Sequence, residues 1–174
     1  MRILAGLLDR VVLLLAVLAA GCVPSFIVQY RQRAGGRLDQ LLADLAPFQA
    51  IADRNHGGSL AALVRYHLQS SDPTFHQEGE ALQSMLDASA HLRAILQGLD
   101  TDLLHQCAYL LMHHDAGLAR ATWNGFQPAF SLTVPGVVLA LVIGGLLWAL
   151  FVGLLYGIAA LMRASLGGTR ASIR

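Results

Sequence analysis

The second long apolar run of this chain, residues 134–162, contains no charged side chain. As an α-helix it would measure roughly 43 Å at about 1.5 Å per residue, more than the roughly 30 Å of a hydrocarbon core. A tilted helix of that length can cross a bilayer. Thr133 can cap its beginning, and Pro135 suits a first helical turn. The run therefore predicts a membrane helix.

A first apolar run, residues 11–28, would form a helix of roughly 27 Å, which is also close to a hydrocarbon core. The composition agrees with two such helices. Only 13% of the residues are charged, compared with about 25% in an ordinary soluble domain, and 55% are hydrophobic. Part of the chain must therefore lie in lipid or in an unusually apolar core.

The small residues before Cys22 permit a different interpretation of the first run, as a lipoprotein signal with Cys22 as the lipid-bearing residue. Arg2 and Arg10 could form its basic segment, but Asp9 interrupts that segment. The residues after Cys22 stay apolar and end at Tyr30 followed by arginines, which is typical of an interfacial anchor. We therefore predict a retained, uncleaved helix that ends near Tyr30 and an unlipidated Cys22.

Between the two runs, apolar residues recur at intervals of three and four, which predicts amphipathic helices. Glycines at 57–58 and the sequence SSDP at 70–73 separate these helices. No alternation typical of strands is present. The predicted fold is all-α, with two transmembrane helices flanking a helical-bundle domain. The predicted bundle core contains Leu45, Phe48, Leu63, Leu82, Met85, Leu92 and Leu110.

The predicted organisation is a first transmembrane helix in residues 1–30, a helical extramembrane domain in 31–130, a second transmembrane helix in 131–162 and a basic tail in 163–174. Two spans place both termini on one side. Arginines are slightly more numerous at the termini than beside the central domain, which favours cytoplasmic termini and a periplasmic central domain.

Four sequence segments resemble a bacterial family of small two-pass inner-membrane proteins that is known only as a domain of unknown function. They are GLLDRVVLLLAV at 6–17, FQAIADRNHGGSLAAL at 48–63, DPTFHQEGEAL at 72–82 and RATWNGFQPAFSLT at 120–133. The resemblance covers nearly the whole chain. It implies a two-pass membrane protein but no activity, substrate or catalytic residue.

The densest polar cluster consists of Asp53, Arg54, His56 and Ser59. A hydrolase would need a nucleophile, a base and an orienting group brought together. The glycines of HGGS would form an oxyanion hole only after a strand, whereas here they separate two helices. We therefore interpret the segment as a structural turn, with Asp53 and Arg54 in a local salt bridge or cap, and retain a hydrolase-like site as the less favoured alternative.

Histidines offer a second candidate site, because His105, His113 and the adjacent His114 and Asp115 are residue types that bind zinc or copper. Their spacing argues against a metal site, since His105 and His113 are eight residues apart and adjacent histidines point to different sides of a helix. We therefore expect solvated histidines at helix ends and no metal or other cofactor.

The second span carries a stripe of small residues at four-residue intervals: Gly145, Ala149, Gly153 and Gly157. Such stripes let helix backbones approach closely in lipid. Two interpretations stay open, packing against Ala16 and Ala20 of the first span, or association with a second chain or another protein. In either case, replacing Gly153 with isoleucine should do more damage than replacing Leu154.

No catalytic, cofactor or nucleic-acid motif of real specificity is present, and a net charge of +1 provides no field that attracts nucleic acid. The sequence favours a non-enzymatic integral membrane protein, an accessory or scaffold subunit with an envelope partner. The alternative is a sensor-like helical module that acts through a separate partner. A metal-binding or hydrolase-like protein ranks below both.

Overall fold

The computed structural model describes the backbone of residues 2–168 and the side chains of residues 6–161. Within that part of the chain there is no strand, which confirms the all-α prediction. The end of the predicted basic tail, with Arg170 and Arg174, lies outside the described residues. The helices are α1 (Arg2–Gly21), α2 (Val23–Asn55), α3 (Leu60–Leu68), α4 (Pro73–Gly98), α5 (Leu103–His113), α6 (Ala116–Asn124) and α7 (Val134–Gly168).

The chain divides into two units. Ile27–Phe126 forms the helical unit, and the described residues of Met1–Phe26 and Gln127–Arg174 form the apolar unit. The sequence places these boundaries four residues later, at 30 and 130. Ile27 and Tyr30, both almost fully buried, therefore belong to the helical unit.

In the apolar unit, α1 packs antiparallel to α7. Large apolar side chains cover the outside of the pair; Leu14, Leu150 and Leu161 are between 58% and 73% exposed. Such a surface suits contact with lipid rather than water. The stretches Gly6–Asn55 and Val134–Leu161 are both long and apolar enough to cross a membrane.

The predicted helix over residues 11–30 is interrupted at Cys22, where α1 ends and α2 begins. Pro24 is the physical reason, because its ring has no N–H to continue the hydrogen-bond ladder and clashes with the preceding turn. The backbone N–H of Ser131 donates to the carbonyl oxygen of Gly21 at 3.2 Å. A neighbouring segment thus satisfies a carbonyl at the break.

Tyr30 is not an interfacial anchor, contrary to the sequence-based prediction. Its side chain is 0% exposed within the helical unit. The backbone N–H of Asp115 donates to the Tyr30 hydroxyl oxygen at 3.0 Å, across 85 positions of sequence. Tyr30 therefore fixes the beginning of α6 against α2.

The core of the helical unit centres on Leu45 of α2, Val64 of α3 and Leu82 of α4. Helix α2 runs through Gly35 and Gly36 without a break. Of the predicted core residues, four are buried, Phe48 and Met85 are partly buried against this cluster, and Leu110 is only half-buried. The four buried members are Leu45, Leu63, Leu82 and Leu92.

Side chains at the helix beginnings explain where these helices start. Ser59, Asp72 and Asp115 cap α3, α4 and α6, because their side-chain oxygens accept from N–H groups of the first turn. For α5, Asp102 is the cap and accepts hydrogen bonds from the N–H groups of Leu104 and His105. Asp102 is favoured because its carboxylate reaches two unpaired N–H groups at once.

Candidate functional site

The polar cluster at residues 53–59 forms a turn rather than a catalytic arrangement. Asp53 accepts a hydrogen bond from the side-chain amide of Gln49 at 2.8 Å, and Arg54 donates to the carbonyl of Ala50 at 3.1 Å. Of the predicted alternatives, a salt bridge between Asp53 and Arg54 or a cap, the salt bridge is not formed, and Arg54, in the last turn of α2, instead binds a carbonyl of that helix. The Ser59 hydroxyl accepts from the N–H of Ala62 at 3.2 Å as the cap of α3.

The backbone of this turn also accounts for its glycines. Gly57 and Gly58 have φ angles of 59° and 80°, in the left-handed region that favours glycine. The N–H of Gly58 donates to the carbonyl of Ala52 at 3.1 Å, which closes the end of α2. The ring of His56 lies 5.4 Å from that of Tyr66. The structure thus does not join His56 and Ser59 as a base and a nucleophile.

The histidines near α5 do not converge either. Within the described residues, no group of three His, Cys, Asp or Glu side chains could hold a metal ion. The Nδ1 atom of His114 lies 3.0 Å from the carbonyl oxygen of Leu110. The other candidate ligands have separate partners: His105 pairs with Asp102, His113 stacks on Tyr109, and Asp115 contacts His91.

The His91–Asp115 pair lines a cleft of about 380 Å³ between α2, α4 and α6, which sequence reasoning missed. The Nε2 atom of His91 lies 3.2 Å from a carboxylate oxygen of Asp115. The N–H of Leu118 lowers the pKa of Asp115 most strongly; burial opposes this effect and His91 adds to it. Arg37 lines the same cleft and makes no ion pair within the described residues.

The cleft combines a guanidinium, an imidazole and two carboxylates, those of Asp44 and Asp115, which are groups that bind small polar molecules. Sequence reasoning missed it because its residues come from helices far apart in sequence. His91 and Asp115 are separated by 24 positions, and Arg37 lies another 54 positions before His91. No local spacing rule links them.

In the structure, α7 packs on α1 through small residues other than those of the predicted stripe. Ala140 and Gly144, four positions apart, are buried, and Gly136, four positions earlier, is buried next to Ser131 of the preceding segment. A Cβ atom added to Gly144 would lie 2.6 Å from the Cα atom of Val17. The backbones of α1 and α7 are therefore in close contact there.

The predicted stripe of Gly145, Ala149, Gly153 and Gly157 lies one position further on and faces away from α1. A Cβ atom added to any of its three glycines would meet no atom within 4 Å among the described residues. Ala149 is exposed. The predicted stripe therefore does not pack against the first span. Its association with another chain stays a prediction.

Helix α5 presents an apolar face on the surface of the helical unit. Leu104 is 67% exposed, Leu111 82% and Met112 70%. Leu104 and Leu111 are seven positions apart and so share one side of the helix. No residue of α5 is buried. An amphipathic helix with its apolar side uncovered is typical of a protein-binding surface.

Comparison with known proteins provides a family assignment. A family model described as "Protein of unknown function (DUF2937)" matches residues 4–164. No curated protein and no solved structure matches the chain.

Proposed function

The chain belongs to this family of unknown function, as its resemblance to a domain-of-unknown-function family indicated, and from that premise we propose that it is a non-enzymatic, two-pass membrane protein that docks an envelope protein. The apolar unit crosses a bacterial inner membrane through α1 and α7. The helical unit lies in the periplasm and the termini lie in the cytoplasm. The bias of arginines toward the termini supports this orientation.

The observation that carries the docking function is the apolar face of α5, defined by Leu104, Leu111 and Met112. Each of these side chains is at least two-thirds exposed. Burying their apolar surface against a partner would therefore lower the free energy of the complex. Such faces bind grooves or helices of other proteins through anchors spaced along one side.

The charges of α5 favour a protein over a lipid surface as its partner. Helices that lie on membranes are rich in lysine and arginine on their polar side. Helix α5 contains neither, and its cap is the carboxylate of Asp102. Partial burial raises the pKa of the Cys107 thiol on this helix, which keeps the thiol neutral at physiological pH. Helix α5 therefore lacks the lysine and arginine side chains that attract anionic lipids.

The docking function is tested by replacing both Leu104 and Leu111 with glutamine in the full-length protein. We expect the wild type, gently extracted from its native membrane, to migrate in a native gel as a complex larger than one chain. The double variant should lose that partner, because glutamine removes the apolar anchors. Its thermal unfolding should stay unchanged, since both leucines are exposed.

Tyr66→Gln is the matched control, because Tyr66 is 65% exposed on α3 and lies outside the α5 face. This variant should keep the complex. A wild type that migrates as a lone chain, or a double variant that retains the partner, would contradict the docking function.

Orientation is tested by a cysteine at Gln77, an exposed position of α4, in a background where Cys22 and Cys107 are serine. A membrane-impermeant maleimide should label this cysteine in cells whose outer membrane alone is permeabilised. Labelling only after the inner membrane is broken would place the helical unit in the cytoplasm.

A sensor-like module is the second candidate, supported by the cleft that contains Arg37, His91 and Asp115. A small polar ligand that binds there would stabilise the folded helical unit in proportion to its affinity. A metabolite that raises the unfolding temperature of the wild type, but not of an Arg37→Ala variant, would favour this function over docking.

A further inference from the structure

A single carboxylate lies among the apolar helices of the apolar unit. Asp9 is the only Asp or Glu in the sequence of that unit. Its Oδ1 atom accepts a hydrogen bond from the indole Nε1–H of Trp148 at 2.7 Å. Ionisable side chains at such positions are rare, and they characteristically face a cavity or a partner.

The position of this pair along α7 makes the carboxylate unusual. Trp148 lies at the middle of Val134–Leu161, about 20 Å from either end at about 1.5 Å per residue. The carboxylate of Asp9 therefore meets a side chain from the apolar middle of this helix rather than one from its ends. Trp148 provides one hydrogen bond, and the described residues provide no ion pair for the charge.

Asp9 lines a cleft of about 590 Å³ between α1 and α7. The rings of Trp148, Phe151 and Tyr156 also line it, and aliphatic side chains such as Leu155 complete its wall. Its volume is in the range of clefts that hold drug-sized molecules. Tyr156 is 72% exposed, so the cleft opens on the outer surface of the helix pair.

Negative charge and aromatic rings together define what such a cleft would bind. Aromatic faces attract cations through their quadrupole, and the attraction is strongest where water is excluded. A carboxylate adds direct charge pairing. The apolar wall requires that the rest of the ligand be hydrophobic. Arg10, the nearest basic residue in sequence, is exposed and does not line the cleft.

We propose that the cleft between α1 and α7 binds a hydrophobic organic cation, with Asp9 holding the charge and Trp148, Phe151 and Tyr156 surrounding it. The ligand enters sideways from the bilayer, through the open side of the cleft. This inference rests on the proposed membrane-spanning role of α1 and α7.

The probe for this site is tetraphenylphosphonium, a hydrophobic cation, and its control is tetraphenylborate, an anion of the same shape. The chain has two tryptophans, Trp123 and Trp148. Trp123→Phe leaves Trp148 as the only indole and keeps an aromatic ring against Phe126. Fluorescence of Trp148 then reports binding to the full-length protein in a maltoside detergent, whose headgroup is uncharged.

We expect tetraphenylphosphonium to change Trp148 fluorescence saturably, and tetraphenylborate not to do so. Asp9→Asn should weaken binding of the cation at least about tenfold. Asparagine keeps an oxygen that can accept from the indole N–H, so this variant removes the charge without removing the hydrogen bond. Tyr156→Leu should weaken binding by a smaller factor, because Asp9 and two rings remain.

Equal affinity of the Asp9→Asn variant and its parent for tetraphenylphosphonium would overturn the proposal, and so would saturable binding of tetraphenylborate at the same site. Alkaline extraction of membranes tests the spanning role separately. Release of the chain by alkali would overturn the spanning role and the lateral entry, whereas a chain that stays in the membrane but does not bind the cation would overturn only this inference.

Discussion

Replacing Gly144 with isoleucine is expected to push α1 and α7 apart. The free energy of unfolding of the monomer in detergent should fall by roughly 3 kcal/mol. A Cβ at this position would lie 2.6 Å from the Cα and 2.8 Å from the backbone N of Val17. A backbone cannot move aside as a flexible side chain can, so the two helices must shift apart. Heat-induced unfolding followed by circular dichroism measures the loss.

Gly145→Ile is the control for that change, because it makes the same substitution on the next residue of the same helix. Its Cβ would meet no described atom within 4 Å. We expect the Gly145→Ile monomer to be as stable as the wild type. Equal stability of the two variants would contradict the close contact between α1 and α7.

Gly145→Ile, together with Gly153→Ile, tests the role of the stripe formed by Gly145, Ala149, Gly153 and Gly157. If that stripe mediates self-association, Gly145→Ile and Gly153→Ile should abolish a cross-linked dimer while the monomer stays stable. The prediction that Gly153→Ile is more damaging than Leu154→Ile therefore applies to association between chains, since Gly153 contacts no other helix within the described chain.

Replacing Tyr30 with alanine is expected to destabilise the helical unit by roughly 3–5 kcal/mol, the range for emptying a large buried aromatic site. Tyr30 is 0% exposed, and its loss would also leave the N–H of Asp115 without its partner at the start of α6. For a unit of this size, the unfolding temperature should fall by more than about 10 °C. Tyr30→Phe, which removes only the hydroxyl, should cost roughly 1–2 kcal/mol.

Tyr66→Ala makes the same chemical change at a tyrosine that is 65% exposed, and it should alter stability by less than about 1 kcal/mol. Amide hydrogen exchange provides a second measurement, because loss of the Tyr30 contact should speed exchange in α6 first. If Tyr30→Ala were no more harmful than Tyr66→Ala, Tyr30 would not join α2 to α6.

Local chemistry made most of the secondary structure predictable. Ser59, Asp72 and Asp115 begin helices because their side chains accept hydrogen bonds from N–H groups two or three residues later. The turn after α2 follows from Gly57 and Gly58, which adopt positive φ. Each of these features depends only on neighbours in sequence.

The site-level predictions were less complete, because they depended on the direction in which a helix face points. Two stripes of small residues run along α7, and the sequence cannot tell which one meets α1. Spacing by four residues occurs in both, one beginning at Gly136 and the other at Gly145. The structure selects the former, since a Cβ on Gly144 would collide with the backbone of Val17.

By itself, the sequence determined the all-α fold, the two helices apolar enough to span a membrane and most helix beginnings, because hydrophobic periodicity and capping act over a few residues. Only the tertiary structure decided that Tyr30 is buried, that Asp9 meets Trp148 across 139 positions, and that His91 meets Asp115. Contacts between distant residues depend on how whole helices rotate and pack, and no local pattern in the sequence specifies that rotation.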